Sequence, residues 1–188
     1  AVTGNINDGT GTDLAGALIT LTNTSTGTVE SVVTDSSGNY TASCAPGTYT
    51  IDASINGYVA GEAPKSLTVG TSGVTNYDFG GASPDQTALA KATDTIVGTL
   101  KDSSSVAMDE GMVWAENTAG VTVSAPVEAD GTYTLPVVDG TWTIKAVGEG
   151  HKTTTLSSTV STVGVSVATG NITLTTDSST YAKPATDS

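Results

Sequence analysis

The sequence predicts an all-β protein made of two tandem seven-stranded β-sandwiches. The first observation is composition: the apolar residues are mostly Val, Ile, Leu and Ala, and Thr and Gly are abundant. Val, Ile and Thr are stiff at χ1 and favour pleated surfaces. The second is an apolar–polar alternation of period two, and the third is an internal repeat. Together these features favour strands with one buried face, arranged twice along the chain.

The repeat is clearest between GNYTASCAPGTYTIDASINGY (38–58) and GTYTLPVVDGTWTIKAVGEGH (131–151), which align at a constant offset of 93 residues. Glycines and core-type residues recur at matching positions, for example Tyr40 with Tyr133 and Ile51 with Ile144. We therefore predict one module at 1–81 and a diverged second module at 93–176. The intervening residues 82–92, rich in Ala and containing Pro84, are interpreted as a linker, and 177–188 as a polar tail or assembly segment.

Seven strands are predicted in each module. In the stretch GTYTIDASI, Tyr49, Ile51 and Ala53 share one face, which is typical of a half-buried strand. The predicted strands of the first module are about 2–7, 16–23, 28–35, 38–44, 47–55, 64–70 and 73–79. Those of the second module are about 94–101, 111–117, 121–128, 131–137, 140–147, 153–159 and 163–175. Gly, Asn and Asp clusters between them supply the turns.

The charge balance excludes several classes of partner. The formal net charge is −13, and all six basic residues are Lys. Binding to nucleic acid or to an anionic membrane surface requires clustered basic residues, and no apolar run reaches the ~20 residues of a membrane span. We expect neither nucleic-acid binding nor membrane insertion. The acidic, Thr/Ser/Gly-rich composition is typical of extracellular or cell-surface proteins, and Asn23, Asn39 and Asn171 begin N-x-[ST] triplets that are candidate glycosylation sites.

The first module carries a motif series: G-x-I-x-D, L-A-G-A-x-I-x-L, T-D-x-x-G-x-Y, P-G-x-Y-x-I and G-Y. This series resembles the carboxypeptidase regulatory-like domain, a transthyretin-like (prealbumin-like) sandwich related to the Cna B-type repeats of surface proteins. The second module is similar but diverged, with Asp139–Gly140 at the Pro-Gly turn and His151 in place of Tyr58. The residues that carry the resemblance are Gly4, Ile6, Asp8, Leu14 to Leu21, Thr34, Asp35, Gly38, Tyr40, Pro46, Gly47, Tyr49, Ile51, Gly57 and Tyr58.

The resemblance implies a spacer, stalk or adhesion module with no catalytic residues. Cna B-type domains often contain a Lys–Asn isopeptide crosslink assisted by an acidic residue. Lys101 and Asn171 are the candidates in the second module. The first module has no Lys in its first strand, and no Glu occurs where the helper acid is expected.

The residues alone offer little for catalysis. Cys44, the single cysteine, has no nearby base or cation to favour a thiolate. Its counterpart in the repeat is Val137, so we interpret it as a small apolar residue, with an intermolecular disulfide as the alternative. The single His151 lacks the partners of a triad or a zinc site, and Asp109–Glu110 does not specify a hydrolase carboxylate pair.

The sequence offers candidates for two kinds of binding site. Asn5, Asn7, Asp8 and Asp13 surround two glycines, and oxygen ligands in a flexible loop suit Ca²⁺, although Asx turns explain the same residues. Trp114, Trp142 and Tyr181 are candidates for a sugar-stacking platform. Trp142 alternates with Ile144, and Trp114 shares a strand face with Met112, so both tryptophans are predicted to lie in the core.

The sequence therefore predicts a non-enzymatic extracellular structural protein without a cofactor, a subunit or repeat of a surface filament, stalk or adhesin. Its expected partners are copies of itself, added by pairing of a terminal strand with an open sheet edge, or neighbouring domains of a larger surface protein. The last strand together with residues 176–188 is the candidate donor. The alternative is a carbohydrate-binding accessory module of a larger secreted protein.

Overall fold

The structure, a computed structural model, describes residues 1–82, 84–156 and 158–175. These residues form strands, turns and loops without a helix, so the chain is all-β as predicted. Within the same ranges, no helix has the length and apolarity needed to cross a membrane. Contacts divide the chain into two compact units. The first contains Ala1–Thr93 with the short segments Thr118–Thr122 and Pro136–Val138, and the second contains the remaining described residues from Asp94 onward.

The first sandwich has a four-stranded antiparallel sheet in the order β3-β2-β5-β7. The facing layer contains the antiparallel pair β1-β4, and residues 74–79 run parallel to β1 through isolated bridges. A short pair, β6-β8, lies outside these layers. The strands are β1 (Val2–Asn5), β2 (Leu18–Asn23), β3 (Val29–Val33), β4 (Asn39–Ala42), β5 (Gly47–Ser54), β6 (Tyr58–Val59), β7 (Lys65–Val69) and β8 (Ala90–Lys91).

The core of this sandwich follows the predicted alternation. Ile19 and Leu21 on β2 pair with Ala53 and Ile51 on β5, and these four side chains are buried. Because neighbouring positions on each strand point to opposite faces, the Thr and Asp residues between them face outward. The core is closed on the other layer by Tyr40, Tyr77 and Phe79, among others.

Residues 85–91, a segment that we call the strap, pack onto the first sandwich although the sequence suggests a linker at 82–92. Leu89 is buried, and its carbonyl accepts a hydrogen bond from the Gly9 amide. The buried side chain of Gln86 donates to the Ile51 carbonyl at 3.0 Å and contacts the Tyr77 hydroxyl at 3.1 Å. Apolar burial and satisfied polar groups therefore hold the strap in place.

The second sandwich repeats the plan, with one sheet in the order β11-β10-β13-β14, where β15 also pairs with β13, and a second sheet in the order β12-β9-β16, where β17 also pairs with β9. Its largest fully buried side chains include Trp142 and Tyr133. The strands are β9 (Asp94–Lys101), β10 (Met112–Glu116), β11 (Thr122–Pro126), β12 (Thr132–Val137), β13 (Thr141–Val147), β14 (Thr154–Thr155), β15 (Val160–Ser161), β16 (Val167–Thr169) and β17 (Ile172–Thr173).

The structure differs from the expectations in detail. Among the described residues of the predicted strand 153–159, only β14 is a strand, and β15 follows it outside the predicted bounds; the predicted strand 163–175 is represented by β16 and β17. The expectation that Trp114 lies in the core is wrong. Val113 and Ala115 are the buried residues of β10, and Trp114 points to the opposite face because side chains alternate along a strand. The predicted tail, 177–188, lies outside the described residues.

Candidate functional site: the paired terminal strands

In the first sandwich the entering and leaving segments of the chain run side by side in the same direction. β1 pairs in parallel with residues 74–79, with bridges at Val2–Val74 and Ile6–Phe79. Main-chain hydrogen bonds of 2.9–3.0 Å join the two segments: Val74 N–H to Ala1 O, Thr3 N–H to Val74 O, Tyr77 N–H to Thr3 O, Phe79 N–H to Asn5 O and Asn7 N–H to Phe79 O.

The second sandwich has the same arrangement. β9 pairs in parallel with β16, with Thr95 opposite Val167, and with β17, with Leu100 opposite Ile172. Flanking hydrogen bonds extend the ladder, including Gly170 N–H to Val97 O at 2.9 Å and Leu174 N–H to Lys101 O at 2.7 Å.

Each parallel ladder has a break at the same place, and side chains fill it. In the first sandwich, the Tyr40 hydroxyl donates to the Tyr77 carbonyl at 2.6 Å, and the Asn5 amide donates to the Asp78 carboxylate at 2.8 Å. Asn76, just before the break, has a φ of 57°, in the left-handed region that Asn tolerates better than most residues. Two side-chain oxygens therefore complete a ladder that the main chain leaves open.

The second sandwich fills its break with equivalent residues. The Tyr133 hydroxyl donates to the Gly170 carbonyl, and the Thr99 amide donates to the Asn171 side-chain oxygen at 3.0 Å. Tyrosine and acceptor carbonyl are 37 residues apart in both copies. We call each set of tyrosine, acceptor carbonyl and Asp or Asn side chain a terminal-strand clamp.

A glycine of the first strand makes room for each clamp. A Cβ atom on Gly4 would lie 1.9 Å from the Tyr77 carbonyl oxygen. A Cβ on Gly98 would lie 2.4 Å from the Gly170 carbonyl oxygen and 2.7 Å from the Tyr133 ring. Because these are close approaches of backbone to backbone, a side chain at either position would force the strands apart.

Burial makes the clamp hydroxyls unusually weak acids. Tyr133 is 1% exposed, and desolvation raises its pKa to about 12. Burial also raises the pKa of Tyr40, with the negative charges of Asp78 and Asp85 adding to the effect. Both hydroxyls are therefore protonated donors over the physiological pH range.

The parallel geometry determines how each sandwich responds to tension. The start of the first strand and the end of the last strand lie at opposite ends of a parallel pair. Pulling them apart slides one strand along the other, so the cross-strand hydrogen bonds are loaded together and not one after another. Forced unfolding is governed by the unfolding rate, so interactions that must all break before unfolding raise resistance to force.

The crosslink candidates meet in this region but are not directly opposite each other. Lys101 pairs with Thr173, whereas the Asn171 side-chain oxygen accepts hydrogen bonds from the Thr99 amide and hydroxyl. Asn171 is thus the counterpart of Asp78, and its described contacts belong to the clamp. The isopeptide bond stays a prediction.

The calcium candidates do not all converge. The Asp8 carboxylate accepts from the Thr10 amide and hydroxyl and from the Thr12 amide at 2.7–2.9 Å, which lowers the pKa of Asp8. Asp102 caps the matching turn of the second sandwich, as expected for an Asx turn. Within the described ranges, no group of three or more His, Cys, Asp or Glu side chains is placed to hold a metal.

Two other calcium candidates differ in how their side chains are engaged. The Asn5 side-chain amide donates to the Ser37 carbonyl and the Asn39 side chain. The Asn7 side-chain oxygen is buried and has no hydrogen-bond partner among the described residues, and Asn7 bridges Asp13 across the loop. Calcium binding stays a prediction.

The remaining candidates lie apart from one another. Cys44 is half-buried and packs against the first core. His151 contacts the Glu149 carbonyl at 2.7 Å through Nδ1. Of the sequon residues, Asn39 and Asn171 are exposed, whereas Asn23 is half-buried and caps its own turn. The intermolecular disulfide and glycosylation stay predictions.

The sugar-platform residues are separated. Trp142 is fully buried, so it contributes to the second core and not to a surface. Tyr181 lies outside the described residues. Trp114 is half-buried on the outer face of β10, opposite Lys145 of β13, and Lys145 forms a 2.8 Å ion pair with Glu116.

The sequence reasoning missed the clamps. The repeat itself carries the signal, since Tyr40 and Tyr133 are aligned tyrosines on strands, and each first strand contains a glycine in its interior. A glycine inside a strand often marks a close approach of another backbone. The partner of that approach is about 70 residues away in the chain and has no local signature.

Comparison with known proteins gives one family match. The family model of the carboxypeptidase regulatory-like domain matches residues 1–80. A comparison with curated proteins gives no match.

Several solved structures are similar at low identity. The TIE protein of Bacillus anthracis has 13% identity and a TM-score of 0.41, covering 93% of this chain and 34% of its own. A streptococcal ancillary pilin has 12% identity and a TM-score of 0.39, covering 94% of this chain and 62% of its own. The shaft pilin SpaA from Lactobacillus rhamnosus GG has 12% identity and a TM-score of 0.34, covering 94% and 96%. The chain therefore spans about a third of the length of the TIE protein and under two thirds of the length of the ancillary pilin.

Proposed function

Because residues 1–80 match the carboxypeptidase regulatory-like domain family, we propose that the chain is a non-enzymatic structural protein of the cell surface. It acts as a subunit or repeat of a filament, stalk or adhesin. Its two sandwiches pass tension from one end of each module to the other.

The observation that carries this proposal is the terminal-strand clamp, present in both copies. Each module joins its entering and leaving strands in parallel, and a buried tyrosine and an Asp or Asn oxygen fill the single break in each ladder. Polar side chains elsewhere also serve the backbone. Asp35, for example, accepts from the Ser37 and Asn39 amides, and Asp102 from the Ser104 and Val106 amides. These polar side chains thus form hydrogen bonds that stabilise turns and strands.

Single-molecule pulling tests the tension role directly. The chain is held by handles at its two ends, and we expect two unfolding events, one for each sandwich. Tyr40→Phe should lower the unfolding force of one event, and Tyr133→Phe that of the other, because each removes a bond that is loaded in shear. Tyr58→Phe, on the short strand β6, is the matched control. If Tyr40→Phe and Tyr133→Phe leave both unfolding forces unchanged, the clamps do not bear load.

Assembly into a polymer is the second part of the proposal. The last strand with residues 176–188 of one copy would add to an open sheet edge of the next copy. Electron microscopy of the full chain should show filaments, and deletion of 177–188 should abolish the filaments while leaving the chain folded. Filaments that persist after the deletion would rule out this donor.

A carbohydrate-binding module is the second candidate, and the outward position of Trp114 is the observation that favours it. An aromatic face beside the Lys145–Glu116 pair offers stacking together with hydrogen-bonding groups. A glycan array probed with the wild type and with Trp114→Ala tests this function. Binding that is lost in Trp114→Ala supports it, and an array without hits counts against it.

A further inference from the structure

The outer edge of β3 has no strand beside it within the part of the chain that the structure describes. β3 lies at the end of its sheet, and among the described residues it pairs with β2 alone. The Asn23 amide bonds to the Thr28 carbonyl, and the Thr34 amide to the Ala17 carbonyl, so residues 28 and 34 face β2. Because hydrogen-bonding groups alternate along an antiparallel strand, the amides and carbonyls of Val29, Ser31 and Val33 point away from the sheet.

Two valines of this edge are exposed. Val29 is 57% exposed and Val33 is 58% exposed, and Val33 lies beside Leu18, which is also exposed at 39%. Natural edge strands are usually blunted by proline, lysine or a bulge. β3, with the sequence VESVV, contains neither proline nor lysine.

Other edges of the two sandwiches carry such protection. β12 contains Pro136, and β11 ends at Pro126. β7 begins with Lys65, which is bound to Glu62 and to the Asp85 carbonyl. The strands β14 and β15 have two residues each. By contrast, β3 lacks proline and lysine, and Glu30 is its one charged residue.

The pattern of β3 is complementary to itself. In an antiparallel pairing centred on Ser31, Ser31 lies opposite Ser31, and Val29 lies opposite Val33. Val29, Ser31 and Val33 then all occupy positions where their outward amides and carbonyls bond to the second copy. A shift of the pairing by one residue would leave these outward groups without opposing partners. Exposed valines cover exposed valines, and Glu30 lies opposite Val32 and not opposite another Glu30.

We propose that β3 is a self-association edge, at which two copies of the chain pair their β3 strands antiparallel about a two-fold axis through Ser31. The pairing extends two four-stranded sheets into one eight-stranded sheet. It is a closed contact that uses no residue of the 177–188 segment, so it does not depend on the polymer proposed above.

Charge sets the strength of this contact. The two Glu30 side chains lie diagonally across the seam, about 7–8 Å apart at their Cβ atoms, and each chain has a formal net charge of −13. Like charges at this distance repel, and salt screens them. The dimer should therefore tighten with added salt and in the Glu30→Gln variant.

The first test measures association of the full chain by sedimentation velocity. We expect a concentration-dependent dimer, with a Kd raised at least about tenfold by Ser31→Pro, since two hydrogen bonds at the axis are lost. The Ser31 amide points away from β2, so proline there leaves the internal ladder intact. Ser31→Ala keeps the amide and is the matched control, and circular dichroism checks folding. Val33→Lys, which puts a charge on the same edge, replaces Ser31→Pro if the latter does not fold.

The second test measures the register. In a Cys44→Ser background, Ser31→Cys places two thiols at the axis, where Cα atoms are about 5.5 Å apart, within disulfide range. Val29→Cys is the control. In this register Val29 of one copy lies opposite Val33 of the other, so the two cysteines would be four residues, or about 14 Å, apart along the strand. An added oxidant should crosslink Ser31→Cys and not Val29→Cys.

Three outcomes overturn the proposal. They are a wild-type chain that is monomeric at every concentration, equal crosslinking of the two cysteine variants, and loss of the dimer when 177–188 is deleted. The last result would show that the tail, and not a second β3, occupies the edge.

Discussion

The Tyr40 hydroxyl donates a 2.6 Å hydrogen bond to the Tyr77 main-chain carbonyl, across the break between the first and last strands of the first sandwich. Tyr40 is 4% exposed, so its ring fills the core while its hydroxyl completes a sheet. One residue thus links the hydrophobic core to the parallel ladder. Tyr133 does the same in the second sandwich by donating to the Gly170 carbonyl.

Removing a clamp hydroxyl should destabilise its own sandwich. Tyr40→Phe keeps the ring but leaves a buried carbonyl without its partner, which costs about 1–3 kcal/mol. Tyr133→Phe should have a similar effect on the second sandwich. Urea unfolding followed by fluorescence measures both, with Tyr58→Phe expected to change the free energy by less than about 0.5 kcal/mol. Equal stability of all three variants would show that the clamp hydroxyls contribute nothing.

Adding one methyl group to the glycine of the first strand should have a larger effect. Gly4→Ala places a Cβ 1.9 Å from the Tyr77 carbonyl oxygen, so the strands must separate, at a cost of about 3 kcal/mol. Gly9→Ala is the matched control, because its Cβ meets nothing within 4 Å. Thermal unfolding of the two variants should differ by many degrees, and similar melting temperatures would contradict the close approach seen here.

Alkaline pH should weaken both sandwiches. The folded-state pKa values of Tyr40 and Tyr133 are raised above the ordinary value of 10.0, so the folded state holds these protons longer than the unfolded state. Stability from this source is fully present below pH 10 and is lost as the pH rises toward the folded-state values, about 12 for Tyr133. Urea unfolding between pH 8 and about pH 11.5 should show the decline. Tyr133→Phe should reduce its slope, and an unchanged slope in that variant would contradict the assignment.

Acid pH should weaken the turns that carboxylates cap. Hydrogen bonds from turn amides and hydroxyls lower the pKa of Asp8, Asp35 and Asp130 below 3.8. These groups stabilise the fold above their unfolded pKa, and the contribution is lost as the pH falls through the folded pKa. Asp52 acts in the opposite direction, because burial raises its pKa.

Asp35→Asn provides the control for the acid effect. Its side-chain oxygen still accepts the Ser37 and Asn39 amides but does not titrate in this range. Urea unfolding between pH 2.5 and pH 7 should show a shallower acid decline in this variant than in the wild type. An acid decline as steep as that of the wild type, or steeper, would mean that Asp35 does not stabilise its turn through its charge.

The sequence was informative wherever the signal is local. Alternation placed Tyr49, Ile51 and Ala53 in the core, and the repeat placed Trp142 there as well. The family match over 1–80 confirms the resemblance based on the turn and strand motifs of the first module. Period two determines which residues share a face, and for long alternating strands that is enough to identify the buried side.

Sequence periodicity does not predict structure that depends on residues far away in the chain. Alternation has two possible phases, and the short strand β10 has apolar residues on both faces, so the pattern places Trp114 on the wrong one. The pairing of β1 with 74–79 joins residues 72 apart, and no pattern within either segment names the other. Regular pairing is also interrupted locally, since Asn76 is left-handed and the Asp78 side chain replaces a main-chain acceptor. A periodic pattern cannot predict such interruptions.

The strap has a consequence for how this module can be moved between proteins. The family match ends at residue 80, yet Leu89 lies in the core, and Gln86 donates to the Ile51 carbonyl of β5, at the position where β7 begins. A fragment cut at residue 80 would expose an apolar groove and leave a buried acceptor unsatisfied. The smallest transplantable piece therefore extends to about Thr93, where the first compact unit gives way to the second. A fusion or a recombination event that cuts at residue 80 would therefore transfer the first sandwich without its strap.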